Sequence, residues 1–427
     1  MRKLILSALG FSAAFGFAAC VGDDPATIAE SSKDGDGGGG ANDGSANLPD
    51  GSNGDDEDAT SADAPCSSGF ATCGAGPACG TNLAEDAQHC GACGHSCLGG
   101  ECADGKCQPE LLASGFPLPV QSNIGNGLVS DDTNVYFATD RRVYKVAKTP
   151  TQDAGGAAIL LHDAASSANR PRFVTLSGTT VWWTSPGTAA SSGSIWRMSR
   201  DGAPGTAAAV FSTQNSPEGI GVDGTYAFWT THGTAAQNQG VIRRHQLIGG
   251  GSTPTDVITG QTSPRHLLVG SARLYWDLAI SNNNAFYTAS KTPGSAPSTI
   301  VDLGGDHLAG MALTSSRLVW VTYNGEVWRA SVDGTNPEKL TTRSTAGTAI
   351  AANDADLYAS FQGVFGNQFK DGEVVQVLTP AGQSPTATPL ATLPFVQGLA
   401  VDAEFLYVLG GDYPTTETGG KLWRIRR

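Results

Sequence analysis

The stretch GMALTSSRLVWVTYNGEVWRA, Gly310–Ala330, reads as short β-strands separated by tight turns. Met311-Ala312-Leu313 precede a polar turn, Leu318–Val321 form an apolar run around Trp320, and Asn324-Gly325 separates that run from Val327-Trp328. Branched and aromatic residues pack well on a pleated surface, and Asn-Gly supplies the backbone a hairpin turn needs. The same pattern occurs seven times, with equivalent first-strand positions at Leu128, Val174, Ile220, Leu267, Met311, Ile350 and Leu399. The intervals are 46, 46, 47, 44, 39 and 49 residues. A repeat of this length built only of short strands defines an all-β chain, a seven-bladed β-propeller with one four-stranded blade per repeat.

The strands can be assigned within each repeat. Second strands are VYFAT, VWWTS, AFWTT, LYWDL, LVWVT, LYASF and LYVLG, and third strands include RVYKV, SIWRM, EVWRA, EVVQV and KLWRI. Fourth strands number six: AAILLHD, AAVFST, DVITG, STIVDL, PEKLTT and TPLATL. The seventh repeat stops at KLWRIRR, while ELLAS at Glu110–Ser114 has the fourth-strand pattern and lies ahead of the first repeat. The N-terminal strand is therefore expected to complete the last blade and close the ring, which removes the exposed edges of an open array.

The net charge of −14 is unevenly placed. Residues 21–65 carry twelve acids and one Lys, and residues 66–427 only −5. The repeat region has no basic stripe, which argues against a nucleic-acid partner.

Residues 1–20, MRKLILSALGFSAAFGFAAC, have a basic start, an apolar run and small residues at the end, the form of a secretory signal. The end, Phe17-Ala18-Ala19-Cys20, resembles the lipobox of bacterial lipoproteins, with Phe17 where that family usually has Leu. The resemblance implies cleavage after residue 19 and acylation of Cys20, palmitate included, and several acyl chains give stable membrane anchoring. Ordinary secretion with an incidental Cys is the competing reading. Phe17 is too large for ordinary cleavage after Ala19, and the cysteine count below leaves Cys20 without a partner. Val21 after the lipidated Cys implies outer-membrane sorting by the enterobacterial rule. Residues 20–65, rich in Asp, Gly, Ser, Asn and Ala, cannot bury enough apolar surface to order themselves, and they read as an acidic tether. Asp34–Gly40, DGDGGGG, lacks the acid a calcium loop needs, because Ser45 stands at that position.

Residues 66–107 hold Cys66, Cys73, Cys79, Cys90, Cys93, Cys97, Cys102 and Cys107. Eight cysteines behind a secretory signal imply a small module held by four disulfides, with 105 pairings open. A zinc site on Cys90 and Cys93 with His89, His95 or Cys97 is the alternative, and it would break the even count. Thr81–Cys107, TNLAEDAQHCGACGHSCLGGECADGKC, resembles small Cys-rich repeats of myxobacterial surface proteins, with His89 replacing the usual Asn before Cys90. This resemblance implies an envelope location without any activity. The repeat region begins at residue 108, giving units 1–19, 20–65, 66–107 and 108–427.

The irregular loops join second to third strands: Thr184–Ser194, Thr230–Gly240, Asp277–Ala285, Ser360–Gly372 and Gly410–Gly420. Topology puts them on the same face as the entries to the first strands, and variable loops on a rigid scaffold are where binding is grafted. Arg172, Glu218, Arg265, His266 and His307 stand just ahead of first strands, at an expected channel mouth, as ligand contacts. The competing reading is that they merely solvate a water-filled channel. Glu218, His266 and His307 are the candidate acid–base residues, and Tyr413 is an exposed contact in its loop. His162, His232 and His245 complete the histidines of the repeats, and no H-E-x-x-H, G-x-S-x-G or phosphate-loop spacing accompanies them. Some seven-bladed lyases and lactone-cleaving enzymes place metal or His/Glu groups at such a mouth, an analogy of fold alone. The eight Trp residues recur at strand positions and read mostly as core between blades.

The chain as a whole resembles myxobacterial surface lipoproteins in which Cys-rich repeats precede a propeller. The expectation is an outer-membrane lipoprotein and monomer, without a cofactor, that binds a protein or glycan through its loop face. A hydrolase or lyase at the channel mouth, with a divalent metal as an option, is the alternative.

Overall fold

The computed structural model describes residues 66–118, 127–139, 141–149, 156–164, 170–233, 238–278, 284–380, 382–414 and 418–427. Residues 1–65, which include the expected signal sequence, Cys20 and the expected acidic tether, lie outside the described residues. Seven four-stranded antiparallel blades follow one another around a ring. Their inner strands are Leu128–Ser130, Val174–Ser177, Pro217–Val222, Pro264–Val269, Leu308–Leu313, Gly347–Ala352 and Gly398–Val401, one for each predicted first-strand position. No helix among the described residues is long and apolar enough to cross a membrane.

The aromatic residues of the second and third strands form the inter-blade core. Trp182, Trp183, Trp229, Trp276 and Trp320 are fully buried. Cross-strand partners stack: Trp183 on Trp196 at 6.2 Å, Trp276 on Tyr287 at 5.9 Å and Trp320 on Trp328 at 6.0 Å. At about 25 cal/mol per Å² and about 150–250 Å² per ring, each buried indole contributes on the order of 4–6 kcal/mol before entropy.

Blade 7 closes the ring. Its strands Gly398–Val401, Phe405–Gly411 and Gly420–Arg426 are completed by Glu110–Phe116, which pairs antiparallel with Gly420–Arg426. Arg424 is the staple: its Nε donates to Glu110 Oε2 at 2.7 Å and its Nη1 to Lys148 O of blade 1 at 2.9 Å. Lys148 Nζ in turn reaches Asp402 Oδ2 of blade 7 at 2.5 Å. One feature differs from the sequence expectation. AAILLHD is not a single fourth strand of blade 1, because Gly156–Ala157 pairs parallel with Ala113 and Ser114 of blade 7, and only Ile159–Asp163 pairs within blade 1. The segment thus bridges the closure seam.

The eight cysteines of the module pair as Cys66–Cys79, Cys73–Cys93, Cys90–Cys102 and Cys97–Cys107, which leaves Cys90 and Cys93 no thiolate for zinc. The module rests on the propeller beside the seam. The His95 ring Nε2 lies 3.0 Å from Arg427 O, and Lys106 Nζ donates to Pro389 O at 2.9 Å.

Candidate functional site

Glu218, Arg265 and His266 lie inside inner strands, where the sequence placed them ahead of those strands. Pro217 and Pro264 begin the strands of blades 3 and 4 and pair with Thr231 and Leu278, a position where a strand tolerates Pro. They are also buried, with Glu218 at 2%, Arg265 at 7% and His266 at 0% exposure, so these three do not solvate an open channel mouth.

The layer is held by the ends of the second strands. Thr184 Oγ1 donates to Glu218 O at 2.5 Å, and Thr230 Oγ1 donates to Arg265 O at 2.8 Å while accepting Gly219 N–H at 2.9 Å. In blade 4 the equivalent residue is Asp277, which accepts the His266 main-chain N–H at 2.8 Å. The His266 ring Nδ1 is 3.0 Å from both carboxylate oxygens of Asp277. The bond puts the ring proton on Nδ1 and leaves Nε2 as an acceptor. Phe173 meets the imidazole edge-on at 5.5 Å. Gly219 is required here, because a Cβ would stand 2.5 Å from Arg265 O and 2.5 Å from Leu267 N.

Arg172 Nη1 donates to Glu218 Oε1 at 2.9 Å, and His232 Nε2 is 4.0 Å from the same oxygen. Glu218 Oε2, His232 Nε2 and His266 Nε2 are buried with no hydrogen-bond partner among the described residues. Burial raises the Glu218 pKa against the pull of Arg172 and Arg265. Burial, reinforced by those two arginines, lowers His232 to about 4. Burial also lowers His266, opposed by Asp277. For Asp277 burial acts upward, but His266 and Arg265 outweigh it and hold the carboxyl below its ordinary value. The group is therefore a neutral His266 on an ionised Asp277, beside a carboxyl whose proton affinity is increased. An acid and a base pushed in opposite directions are the raw material of acid–base chemistry.

His307 stands apart. Asn284 Nδ2 approaches its Nδ1 at 2.9 Å and donates to Asp306 O at 2.7 Å, and the Tyr323 ring lies edge-on at 6.2 Å. Two other histidines are packing residues: His162 lies 5.1 Å from the Trp183 ring, and His245 lies 4.8 Å from the Phe211 ring.

Tyr413 belongs to an aromatic cluster among the second-to-third-strand loops, where it is half-buried. Its ring contacts Phe365 at 6.0 Å, Phe369 at 4.9 Å and Phe395 at 5.2 Å. Phe365 opens a short 3₁₀ turn, Phe365–Asn367, in the blade 6 loop. Val364 and Phe365 are 51% and 69% exposed. Phe369 and Phe395 have φ of 56° and 42°, values that bulky side chains avoid, and Phe395 N–H donates to Phe369 O at 2.9 Å. Such strain costs on the order of 1–3 kcal/mol per residue and persists where the surroundings hold it. Phe365 and Phe369 are marked in the sequence only by the spacing F-x-x-x-F inside a loop otherwise rich in Gly, Gln and Asn, and Phe395 lies outside that loop.

No protein-family model matches the chain, and no curated protein does. Solved structures resemble it as all-β propellers. One is the WD40 β-propeller domain of Doa1, at TM-score 0.51 and 10% identity, covering 74% of this chain and 96% of that one. A chain of the mitotic checkpoint complex matches at TM-score 0.52 and 13% identity, covering 75% and 92%. The GH74 enzyme of Niastella koreensis matches at TM-score 0.52 and 14% identity, covering 73% of this chain and 55% of that one. At these identities the likeness is one of fold. The chain is a seven-bladed β-propeller preceded by a disulfide-rich module.

Proposed function

We propose that this chain is a bacterial envelope lipoprotein, anchored through Cys20 in the outer membrane, whose propeller is a binding or scaffold domain. Its ligand is a protein or glycan, taken on the face that carries the second-to-third-strand loops. The observation that carries the reading is an aromatic platform of exposed Phe365 with half-buried Phe369 and Tyr413, backed by the buried Phe395 ring. Aromatic rings give large contact area with little side-chain entropy to lose, and these rings are already fixed in the free chain. Propellers in assemblies, among them the one in the mitotic checkpoint complex, support a scaffold role. The reading also has the chain monomeric, without a resident cofactor or nucleic-acid partner.

The Asp277–His266 pair beside Glu218 is the specific observation for the alternative, a hydrolase or lyase. Both His266 and Glu218 are buried, so the reactive atoms face no open surface, and this favours binding over catalysis. The test is capture from native envelopes and on a glycan array with the intact chain and with Phe365→Ala. A ligand held by the intact chain and lost by the variant supports the proposal. A ligand held equally by both removes the platform from the account.

A further inference from the structure

Arg197 of blade 2 shares its third-strand position with Lys145, Arg244 and Arg424 of blades 1, 3 and 7, opposite Trp182, Tyr136, Phe228 and Tyr407 respectively. Those three latch one blade to the next. Lys145 Nζ donates to Arg200 O at 2.8 Å, Arg244 Nη1 to Lys291 O at 3.2 Å and Arg424 Nη1 to Lys148 O at 2.9 Å. The counterpart for Arg197 is the carbonyl of Leu247 in blade 3, the residue that follows the third strand there. That latch is not made. Among the described residues the Arg197 guanidinium has no hydrogen bond or ion pair, and it lies over the Trp182 ring at 5.5 Å.

Where the latch would close, a cavity of about 350 Å³ lies between blades 2 and 3. It sits at the third-to-fourth-strand turn of blade 3, on the face opposite the aromatic platform. Arg197, Phe211, His245, Leu247 and glycines 249–251 line it, and no acid does. The turn closes over the His245 ring because residue 250 is Gly: a Cβ there would stand 2.5 Å from the ring Cε1 and 2.6 Å from Gln246 O. His245 packs edge-on against Phe211 at 4.8 Å, and among the described residues its ring nitrogens make no hydrogen bond. Burial and the Arg197 charge lower its pKa, so the ring is neutral at pH 7 and offers one donor and one acceptor.

We propose that this inter-blade cavity binds a small hydroxy acid, free or as the uronate of an acidic sugar. Arg197 takes the carboxylate through its planar fork, with its stem held on Trp182. His245 takes a hydroxyl group, whose paired donor and acceptor match those of a neutral imidazole. The cavity supplies one unpaired positive charge, which suits a monocarboxylate better than a phosphate monoester of nearly two negative charges. Its volume lies at the lower end of small-molecule sites. This site is independent of the loop-face proposal, and either can fail alone.

The test is isothermal titration calorimetry of the full chain at pH 7. D-glucuronate probes the acidic sugar and lactate the free hydroxy acid, while D-glucose lacks the carboxylate and propionate lacks the hydroxyl. The expected result is saturable binding of D-glucuronate, of lactate or of both, with no binding of D-glucose and weaker binding of propionate. Arg197→Gln weakens the bound acid by about tenfold or more, the loss of a charged hydrogen-bonded pair, and leaves the thermal midpoint unchanged because residue 197 is exposed. His245→Phe brings the hydroxy acid down to the level of propionate, and Phe365→Ala changes nothing. No saturable binding of either acid, propionate bound as tightly as the hydroxy acid, or undiminished binding in Arg197→Gln overturns the proposal.

Discussion

Replacing Asp402 by Asn weakens the seam that closes the ring, and the loss depends on pH. Asp402 Oδ1 accepts the N–H groups of Glu404 and Phe405, both at 2.8 Å, while Oδ2 takes Lys148 at 2.5 Å and the Tyr407 hydroxyl at 2.8 Å. Burial acts to raise its pKa, but the bonds from Lys148, the two main-chain N–H groups and Tyr407 prevail and hold it at about 2, against an ordinary 3.8. That drop corresponds to at most about 2.4 kcal/mol. The carboxyl keeps a quarter of its exposure, and solvent screening reduces the figure to about 1–2 kcal/mol. Asn retains an Oδ1 acceptor for the turn and loses the charge on Lys148, so the variant isolates the electrostatic part. The folded-state pKa is depressed, so the stabilisation is complete above about pH 5 and disappears as pH falls through 4 toward 2. Urea unfolding of the full chain and of Asp402→Asn at pH 7 and pH 3 is the assay. The gap at pH 7 is about 1–2 kcal/mol and falls to about half by pH 3. A gap that does not change with pH, or none at pH 7, refutes the reasoning.

Other outcomes follow from the same geometry. Gly219→Ala drives a Cβ into the main chain of Arg265 and Leu267 and lowers stability by about 1–3 kcal/mol, read as the shift in denaturation midpoint. Asp277→Ala leaves the buried His266 ring N–H and main-chain N–H without their acceptor and costs about 1–3 kcal/mol for each donor left unpaired, whereas Asp277→Asn, which keeps an acceptor for Nδ1–H, costs clearly less. Equal losses for the two would mean that the His266 bond does not matter. Truncation ahead of residue 117 removes the outer strand of blade 7 and the Glu110 partner of Arg424, so the chain loses its cooperative melt. An unchanged melt would disprove closure by that strand.

The ring was legible because its core repeats. Trp183, Trp229, Trp276 and Trp320 stand at one position in successive second strands, and packing between blades demands that regularity. The ring closure was equally legible, from a missing last strand and a spare first one. The bridging pair Gly156–Ala157 was not, because two residues without large side chains carry no pattern of their own. The buried layer was visible only in half. His266, Glu218 and Arg265 stand out in the sequence as charged groups, but Asp277 reads there as the start of a loop. Aligning VWWTS, AFWTT, LYWDL and LYASF at their fourth residue exposes it, since Thr184, Thr230, Asp277 and Ser360 share that place. The antiparallel pairing of Leu267 with Trp276 then brings residues 266 and 277 together. His307 does not join them because it sits one blade over, held between Asn284 of blade 4 and Tyr323 of its own blade. Tyr413, expected as an exposed contact, is half-buried against the core; its partners come from separate loops, and no local signal joins residues 365, 369, 395 and 413.

The central claim is that the aromatic platform is where a ligand sits. Hydroxyl-radical footprinting of the full chain, in native envelopes and as the isolated protein, tests it most directly. The account predicts that Phe365, Phe369 and Tyr413 are protected in the envelope and reactive in isolation, with Ile248, at 83% exposure, reactive in both. Platform rings labelled equally in both samples would contradict it.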